Sequence, residues 1–450
     1  MNQSPDLAQP SRIEFDHPKR RELNDEVHAR PPAQLAAPGD VSFLAVLHGD
    51  QTEEAAFTHL LELVRLCGAD VPEPGHNHYL ITLFRNDEIY PDGIRLKWER
   101  HGEFTSVTLI GEGRLEVGFE VTPLSRIDPA WLAGFSGQRI AAAHGLIRER
   151  TEAAWEPASI AAQLFKGHAP IGAQIAGGSA EAYSDFRIHT DGFLRFVMVV
   201  GEMSPNQCGR MMQRLLELET YRMLALLALP LAKALIPFLN AREKDLAAVT
   251  ADMAGEGRED ERLLGRLVTL EAEVQQRDLE SHYRFSAAAA YYEIVLQRTV
   301  ELRENRVQGT QTFTEFIDRR LAPAMRTCRA VAARQQALAD RTARVTQLLS
   351  TRVSVKLEAQ NQELLQSMNT RARHQLRLQE TVEGLSVAAV SYYSVGLIGY
   401  AAKGLAGLGW AFKPAYITAA AVPLVVLLVA LGLARTRRRL AESDAEHGDA

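Results

Sequence analysis

The chain has 450 residues, of which 46% are hydrophobic and 24% charged, and its formal net charge is −6. These fractions are typical of folded proteins and exclude a disordered, collagen-like or disulfide-stapled chain. The length predicts two or three domains, and the small acidic excess gives no general attraction to nucleic acid. Cys67, Cys208 and Cys328 lie far apart and match no ligand spacing, so we expect inert thiols.

Residues 1–202 contain short β-type runs that alternate with turn signals. This pattern predicts an α+β or α/β head and leaves the strand order open. The N-terminal stretch is polar and lacks the apolar core of a signal peptide, so we expect the head to be cytoplasmic. The predicted elements are strands at 41–47, 79–84, 94–99, 104–110 and 115–121, helices at 52–67 and 137–143, and a hairpin at 182–200.

Four histidines and one glutamate are the candidate metal ligands of the head. His76 and His78 alternate with one intervening residue, as do Glu99 and His101, so each pair would share one strand face. Imidazole and carboxylate groups are zinc ligands, but two ligands do not make a site. A metal centre therefore requires the fold to bring both pairs and His28 together. A charged sheet face is the alternative interpretation.

No motif of a known enzyme class is present. The chain contains no P-loop, GxGxxG, HExxH or GxSxG sequence. We therefore assign no catalytic residue and leave any cofactor unassigned, and a non-enzymatic protein is the leading interpretation. An anchored enzyme that uses His28, Glu99 and His101 for proton transfer is the alternative.

Residues 203–310 predict a helical hairpin packed on the helix that follows it. Helical periodicity runs through 206–248 and 259–308. The apolar run at 223–239 contains two prolines and, near its middle, Lys233, and a lysine at the centre of a membrane span is costly. We expect this run to be a buried, kinked helix of the soluble part. An interfacial or re-entrant segment is the alternative.

Residues 311–383 predict one long stalk helix. Thr312 and Glu315 have the spacing of a capping box, and no glycine or proline occurs from 324 to 383. Apolar residues recur at intervals of three, four and seven, which is coiled-coil-like although not strict. The stalk therefore predicts self-association, packing on the other helices of the chain, or both.

Two uncharged runs, at 384–402 and 415–434, follow the stalk. Each has about the length of a helix that crosses a hydrocarbon core. The short, glycine-rich link between them predicts a transmembrane hairpin over 384–434. The first run is rich in small residues, which allow helices to pack closely in lipid. Its predicted pore or helix-packing stripe is formed by Tyr392, Gly396, Gly399 and Lys403.

Basic residues flank the hairpin on its terminal sides. The tail, 435–450, opens with Arg435, Arg437, Arg438 and Arg439, and further arginines precede the first run. By the positive-inside rule, these residues predict a two-pass protein of the inner membrane with both termini in the cytoplasm. The expected partners are the lipid bilayer, further copies of the chain and a cytoplasmic protein, but not nucleic acid.

Five strings distributed along the chain are distinctive: HPKRRELNDEVHARPP (17–32), LKWERHGEF (96–104), SDFRIHTDGFLRFV (184–197), RLLELETYRMLALLALPLAK (214–233) and NQELLQSMNTRARHQLRLQETVEGLSVAAVSYYSVGLIGY (361–400). They resemble a bacterial family of predicted membrane-anchored proteins built around a domain of unknown function, family 3422. The resemblance covers nearly the whole chain. It implies membrane anchoring, and it implies neither an activity nor catalytic residues.

The predicted architecture is also similar to that of CorA-type divalent-cation transporters, which are pentamers whose first span lines the pore. Their loop begins with a Gly-Met-Asn signature that binds the hydrated ion, whereas residues 399–404 here read GYAAKG, and Lys403 would repel a cation. We predict a homo-oligomeric membrane protein with a CorA-like arrangement that transports or senses an ion. The alternative is a membrane-anchored scaffold or regulator without a pore, whose head binds a partner.

Overall fold

The computed structural model describes residues 17–21, 23–24, 31–49, 51–150, 155–255, 259–407 and 413–446. The chain divides into two units, Met1–Thr346 and Gln347–Ala450. The first unit contains a β-sheet and most of the helices, and the second contains the C-terminal part of one long helix and the helix after it. The predicted ligand His28 lies outside the described residues.

The strands of the described chain form one mixed sheet: β1 Gly39–Leu47, β2 His78–Phe84, β3 Ile94–Arg100, β4 Phe104–Glu112, β5 Gln138–Glu149, β6 Ile171–Ile175, β7 Ala180–Ser184, β8 Leu194–Val200 and β9 Asn305–Arg306. Their order in space is β2-β3-β4-β1-β5-β8-β7-β6-β9. Neighbours are antiparallel except β5 and β8, which are parallel. The mixed α+β class predicted from the sequence is confirmed.

The α-helices in the described ranges are α1 Glu53–Leu66, α2 Pro129–Ala133, α3 Pro157–Leu164, α4 Pro205–Leu226, α5 Ala228–Asp252, α6 Asp260–Leu302, α7 Phe313–Gly407 and α8 Pro414–Glu446. The predicted capping box begins α7, because Thr312 Oγ1 accepts from Glu315 N at 3.2 Å and Glu315 Oε2 accepts from Thr312 N at 3.3 Å. These bonds satisfy backbone donors that a helix start otherwise leaves unpaired.

Two predicted elements of the head are wrong. Residues 115–121 form no strand, because the buried guanidinium of Arg114 binds the carbonyl oxygens of Gly118 and Val121 at 3.4 and 3.0 Å. Residues 138–143 of the helix predicted over 137–143 belong instead to β5. Ala141, Ala142 and Ala143 pair with β1, and Ala143 also pairs with β8. Pairing with β1 therefore overrides the helix propensity of these alanines.

The two faces of the sheet bury different kinds of side chain. Leu60 and Leu63 of α1 pack with Leu96 and Trp98 of β3 in one apolar cluster, and each fully buried leucine contributes about 2 kcal/mol. α4 packs against β5 and β8. Side chains from α4 and from β3 residues such as Lys97 line a common cavity. Apolar and charged residues therefore alternate along β3, with Leu96 and Trp98 on one face and Lys97 and Glu99 on the other.

The helical layer differs from prediction at two points. The helix expected over 206–248 is divided into α4 and α5 at Leu227. Pro230, in the first turn of α5, has no amide hydrogen to continue the hydrogen bonds of α4. The helix expected over 259–308 ends at Leu302, where Arg303 adopts a left-handed conformation with φ of 50°, and β9 follows. α6 packs against both α4 and α5.

The N-terminal end of α7 is attached to the sheet. Thr310 Oγ1 donates to the carbonyl oxygen of Gly172 in β6 at 2.7 Å, and Gly172 N donates to Gln311 O at 2.9 Å. The ring of Phe316 in α7 stacks on Phe186, with centroids 4.4 Å apart and planes 12° apart. The beginning of α7 therefore contacts β6 and the loop that follows β7.

In the second unit, α7 and α8 pack through small residues. A Cβ atom added at Gly399 would lie 3.3 Å from Thr418 Oγ1 of α8. Ala402 and Ala421 are buried. Small residues permit close approach of two helices. Residues 408–412, which link the two helices, lie outside the described residues.

Candidate functional site

Among the described residues, three helical segments are long and apolar enough, by length and composition, to cross a membrane: Pro205–Asp252, which is α4 and α5 together, Phe313–Ala406 and Pro414–Gly432. The sequence analysis predicted only two membrane spans, at 384–402 and 415–434. The segment Pro205–Asp252 is therefore a third candidate that was not predicted as a span. Its apolar window is 33% buried, against 17% and 11% for the other two, and Lys233 within it is exposed. The two-pass topology and the location in the inner membrane stay predictions.

The apolar stretches of α7 and α8 expose large hydrophobic side chains in the single chain. Such contiguous exposure is rare on soluble monomers and is typical of a surface that contacts lipid or protein. The exposed residues include Leu385, Tyr392, Tyr393, Leu397, Tyr400, Tyr416, Leu424, Leu427, Leu428 and Leu431.

The predicted stripe on α7 is only partly covered by α8. Gly399 is buried beside Thr418, whereas Tyr392 is 78% exposed, Lys403 is exposed and Gly396 is half-buried. Three of the four residues are therefore accessible to another molecule. Their role in a pore or in helix packing stays a prediction.

The predicted membrane-boundary arginines lie in the C-terminal part of α8. Arg435 is exposed. The side chains of Arg437, Arg438 and Arg439 lie outside the described part of the structure. Their role at the membrane boundary stays a prediction.

The polar face of β3 lines a small cavity beneath α4. Lys97 Nζ is buried, 3.0 Å from Glu99 Oε1, and donates to Gln213 Oε1 at 3.2 Å. Gln213 Nε2 donates in turn to Glu217 Oε1 at 2.7 Å. The cavity has a volume of about 50 Å³, which is room for a few water molecules. The buried charges of Lys97 and Glu99 therefore compensate each other as an ion pair.

The structure brings some of the predicted metal ligands together. His78 pairs directly with Glu99 across β2 and β3, and the ring centroids of His76 and His78 are 6.3 Å apart. His101 follows the end of β3. Within the described ranges, these four residues do not form a group of three ligand atoms that could share an ion. Their metal role together with His28 stays a prediction.

A different cluster, formed by His168, Asp185 and His189, does have that geometry. Asp185 Oδ2 lies 3.1 Å from His168 Nδ1 and 2.9 Å from His189 Nε2. All three ligand atoms lie within 4.8 Å of one another. Two loops supply the residues, because His168 precedes β6 whereas Asp185 and His189 lie between β7 and β8.

The cluster is polar, mostly buried and open on one side. The side chains of Asp185 and His189 are 0% and 1% exposed, whereas that of His168 is 39% exposed. Burial lowers the pKa of His189 below its usual 6.5, and the charge of Arg195 lowers it further, while Asp185 acts in the opposite direction. A neutral imidazole beside an acidic side chain can bind a cation or relay a proton.

None of these three residues is among the candidates that the sequence provides. Asp185 and His189 lie four residues apart in the string SDFRIHTDGFLRFV, and His168 lies 17 residues before Asp185. A spacing of four has a fixed geometry in a helix but not in a loop. The cluster forms because β6 pairs with β7 and β7 pairs with β8. The sequence alone did not determine this order of the strands in the sheet. The only sequence feature that pointed to the cluster was an acidic residue and a histidine, Asp185 and His189, shortly before the Asp191-Gly192 turn.

Comparison with known proteins gives one match that covers most of the chain. No curated protein and no solved structure matches the chain. The profile of the family described as "Protein of unknown function (DUF3422)" matches residues 15–440. The match includes both units of the structure and all the residues of the His168–Asp185–His189 cluster. The chain therefore belongs to the DUF3422 family of proteins of unknown function.

Proposed function

We propose that the protein is an integral membrane protein that self-associates through α7 and transports or senses an ion, in an arrangement similar to that of CorA-type transporters. The observation that carries this proposal is a seam of exposed apolar side chains on α7 in the second unit. We call it the α7 seam, and its residues are Leu357, Leu364, Met368, Leu378, Val382 and Leu385.

The α7 seam follows a heptad repeat. Leu357, Leu364, Leu378 and Leu385 are spaced by seven or fourteen residues, and Met368 and Val382 each lie four residues after a leucine position. Every side chain of the seam is more than half exposed in the single chain. Burying the exposed half of each against a further copy would contribute roughly 1 kcal/mol per residue. The three-four spacing is the pattern of a coiled coil.

Polar residues within the same repeat favour a second copy of this chain over an unrelated partner. Asn361, Arg371 and Gln375 occupy the remaining heptad positions between Leu357 and Leu378. A polar residue at a core position selects register and oligomer state at a cost in stability. Asn361 and Gln375 can hydrogen-bond to their own counterparts when identical helices lie parallel and in register. The proposed assembly is therefore a parallel homo-oligomer.

Membrane insertion is supported by the apolar windows at the end of α7 and in α8. Their mean hydropathies are 1.4 and 2.3, and little of either window is buried. Water solvates such surfaces poorly, whereas a hydrocarbon core accepts helices of this length. The arginines after the second window supply the basic flank expected on the cytoplasmic side.

The proposed ion path is the continuation of the α7 seam. The same three-four spacing, extended beyond Leu385, reaches Tyr392, Gly396, Gly399 and Lys403. In a symmetric assembly, the lysines would form a ring at one end of the span. A ring of lysines favours anions and opposes cations. The proposed transport activity is therefore anion passage.

A scaffold or regulator without a pore is the second candidate function. Gly399, one of the four positions of the stripe, is already covered by Thr418 of the same chain. The stretch GYAAKG at 399–404 also has neither the methionine nor the asparagine of the CorA-type signature. In this case the hairpin only anchors the protein, and the first unit binds a cytoplasmic protein.

Disulfide cross-linking of the full-length protein in membranes tests self-association. Leu364→Cys places a thiol in the α7 seam, and Gln366→Cys places one two residues away, outside the seam; both substitutions are made in a Cys67→Ser background. We expect mild oxidation to link Leu364→Cys into dimers and to leave Gln366→Cys largely monomeric. Equal cross-linking of the two variants, or none in either, would refute assembly through the seam.

Ion flux into liposomes then separates the two functions. We expect the wild-type protein to pass anions and Lys403→Glu to reduce that flux at least tenfold. Lys413→Glu, directly after the 408–412 link and outside the stripe, is the matched control and should retain more of the flux. A cross-linked oligomer without any flux would favour the scaffold.

A further inference from the structure

We propose that His168, Asp185 and His189 form a binding site for a divalent transition-metal ion of the zinc class. This inference does not depend on membrane insertion or on self-association, because all three residues belong to the first unit. Two imidazoles and one carboxylate are a ligand set that zinc and its neighbours in the first transition row accept, whereas calcium and magnesium prefer oxygen ligands.

The separations of the ligand atoms are close to those of a coordinated ion. Zinc bonds of about 2.0–2.1 Å in a tetrahedral arrangement place neighbouring ligand atoms about 3.3 Å apart. Asp185 Oδ2 is 3.1 Å from His168 Nδ1 and 2.9 Å from His189 Nε2. The two nitrogens lie within 4.8 Å of each other.

The buried carboxylate is held in position by the backbone. Asp185 Oδ1 accepts from the amide of Arg187 at 3.2 Å, which leaves Oδ2 directed at the two imidazoles. The next residue, Phe186, has a φ of 48°, and Lys166, two residues before His168, has a φ of 50°. Non-glycine residues rarely adopt this conformation, and it is enriched at ligand-binding sites. Both ligand-bearing loops are therefore constrained beside the cluster.

The positively charged side chains near the cluster, Lys166 and Arg195, leave the Asp185 carboxylate available to a metal ion. Lys166 Nζ donates to Thr190 Oγ1 at 3.0 Å. Arg195 donates to the carbonyl oxygen of Leu164 at 2.8 Å and lies 3.5 Å from Asp191. Neither cation forms an ion pair with Asp185 in the described part of the chain. These cations reduce the affinity for a metal ion, but they do not occupy its ligands.

The exposure of His168 indicates an open site. Structural zinc sites use four protein ligands, whereas sites that activate water or bind an exchangeable ligand use three. Here three protein ligands converge and the side chain of His168 is 39% exposed, so water or a small anion can reach the fourth position. A metal ion bound here would lower the pKa of its water ligand. The site therefore fits exchangeable metal binding better than a structural role.

Metal binding by the full-length, untagged protein tests the proposal. The purified protein is treated with a chelator, dialysed, and equilibrated with Zn²⁺, and bound zinc per chain is measured by mass spectrometry. Co²⁺ supplies a second readout through its visible absorption, which reports the ligands directly. We expect one zinc per chain and a tetrahedral cobalt spectrum.

Substitutions then locate the site. We expect His168→Gln to weaken zinc binding at least about tenfold and to abolish the cobalt spectrum; because His168 is half-exposed, this variant should fold. Asp185→Asn should have the same effect if it folds, and circular dichroism checks both. The control is His374→Gln, which removes an exposed imidazole of α7 in the second unit and should leave binding unchanged.

Two results would overturn the proposal. Wild-type protein without zinc or cobalt binding would mean that the cluster is a hydrogen-bonded His–Asp–His network only. Equal losses in His168→Gln and in the control would mean that surface histidines bind the metal non-specifically.

Discussion

His144 in β5 should make the first unit sensitive to acid. Its imidazole is buried, its Nδ1 lies 3.0 Å from Ser42 Oγ, and its ring stacks on Phe193 with centroids 4.0 Å apart. Burial lowers the pKa of His144 from 6.5 to about 4; Asp191 raises it and Arg195 lowers it by smaller amounts. The substitution His144→Asn removes the titrating group and keeps a polar atom near Ser42.

Whether acid stabilises or destabilises the first unit depends on whether the folded or the unfolded chain protonates His144 at the higher pH. As the pH falls below 6.5, the unfolded chain protonates at His144 while the folded chain remains neutral down to about pH 4. The folded state therefore loses stability across this window, at about 1.4 kcal/mol per pH unit. Between pH 7 and pH 4.5 the loss due to His144 amounts to about 2.5 kcal/mol.

Urea unfolding of the full-length protein in detergent, followed by tryptophan fluorescence at pH 7 and pH 4.5, measures this loss. Trp98 and Trp131 lie in the buried core of the first unit. We expect the wild type to lose about 2.5 kcal/mol more between the two pH values than His144→Asn. His76→Asn, which removes an exposed imidazole, should behave as wild type. Equal pH dependence in wild type and His144→Asn would refute the reasoning.

Two further substitutions test a buried charge and a close backbone contact. Asp40→Asn removes the buried carboxylate that pairs with the guanidinium groups of Arg114 and Arg148 at 2.9 and 2.8 Å, and Arg114 keeps an ion pair with the exposed Glu116. Urea unfolding at pH 7 should show a loss of about 3–5 kcal/mol. Gly209→Ala places a Cβ atom 1.8 Å from the carbonyl oxygen of Ala33. It should detach that segment from α4, and amide hydrogen exchange before β1 should accelerate.

Matched substitutions at permissive positions control for these two changes. Asp70→Asn alters a fully exposed carboxylate, and we expect it to change the free energy of unfolding by less than about 0.5 kcal/mol. Gly265→Ala adds a methyl group in α6, where no atom lies within 4 Å, and should not reduce stability. An Asp40→Asn variant as stable as Asp70→Asn, or unchanged exchange in Gly209→Ala, would contradict the structural interpretation.

Elements whose structure depends on local signals could be predicted from the sequence. The strand containing Leu96, Lys97 and Trp98 alternates because one face meets an apolar core and the other meets polar groups of α4. The start of α7 was predictable because Thr312 and Glu315 form a short-range capping box. In both cases, residues within a few positions of each other determine the outcome.

Elements that depend on distant partners could not be predicted. Residues 115–121 alternate like a strand, but their carbonyl groups bind the buried guanidinium of Arg114, which Asp40 also holds. Residues 138–143 have helix propensity, and their pairing with the distant strand β1 makes them extended. The His168 cluster combines both difficulties, because its ligands come from two loops and their convergence depends on strand order.

The attachment of α7 to the sheet has a geometric consequence along the helix. Thr310 and Gln311 are hydrogen-bonded to Gly172, Phe316 is stacked on Phe186, and no turn interrupts the helix from Phe313 to Gly407. Each residue of an α-helix advances its azimuth by about 100°. Within the first unit, the angular phase of the later side chains of α7, as far as Thr346, is thus set by contacts beside β6. A single residue inserted after Phe316 would turn the following side chains of this unit by that angle, and seven would nearly restore their original direction.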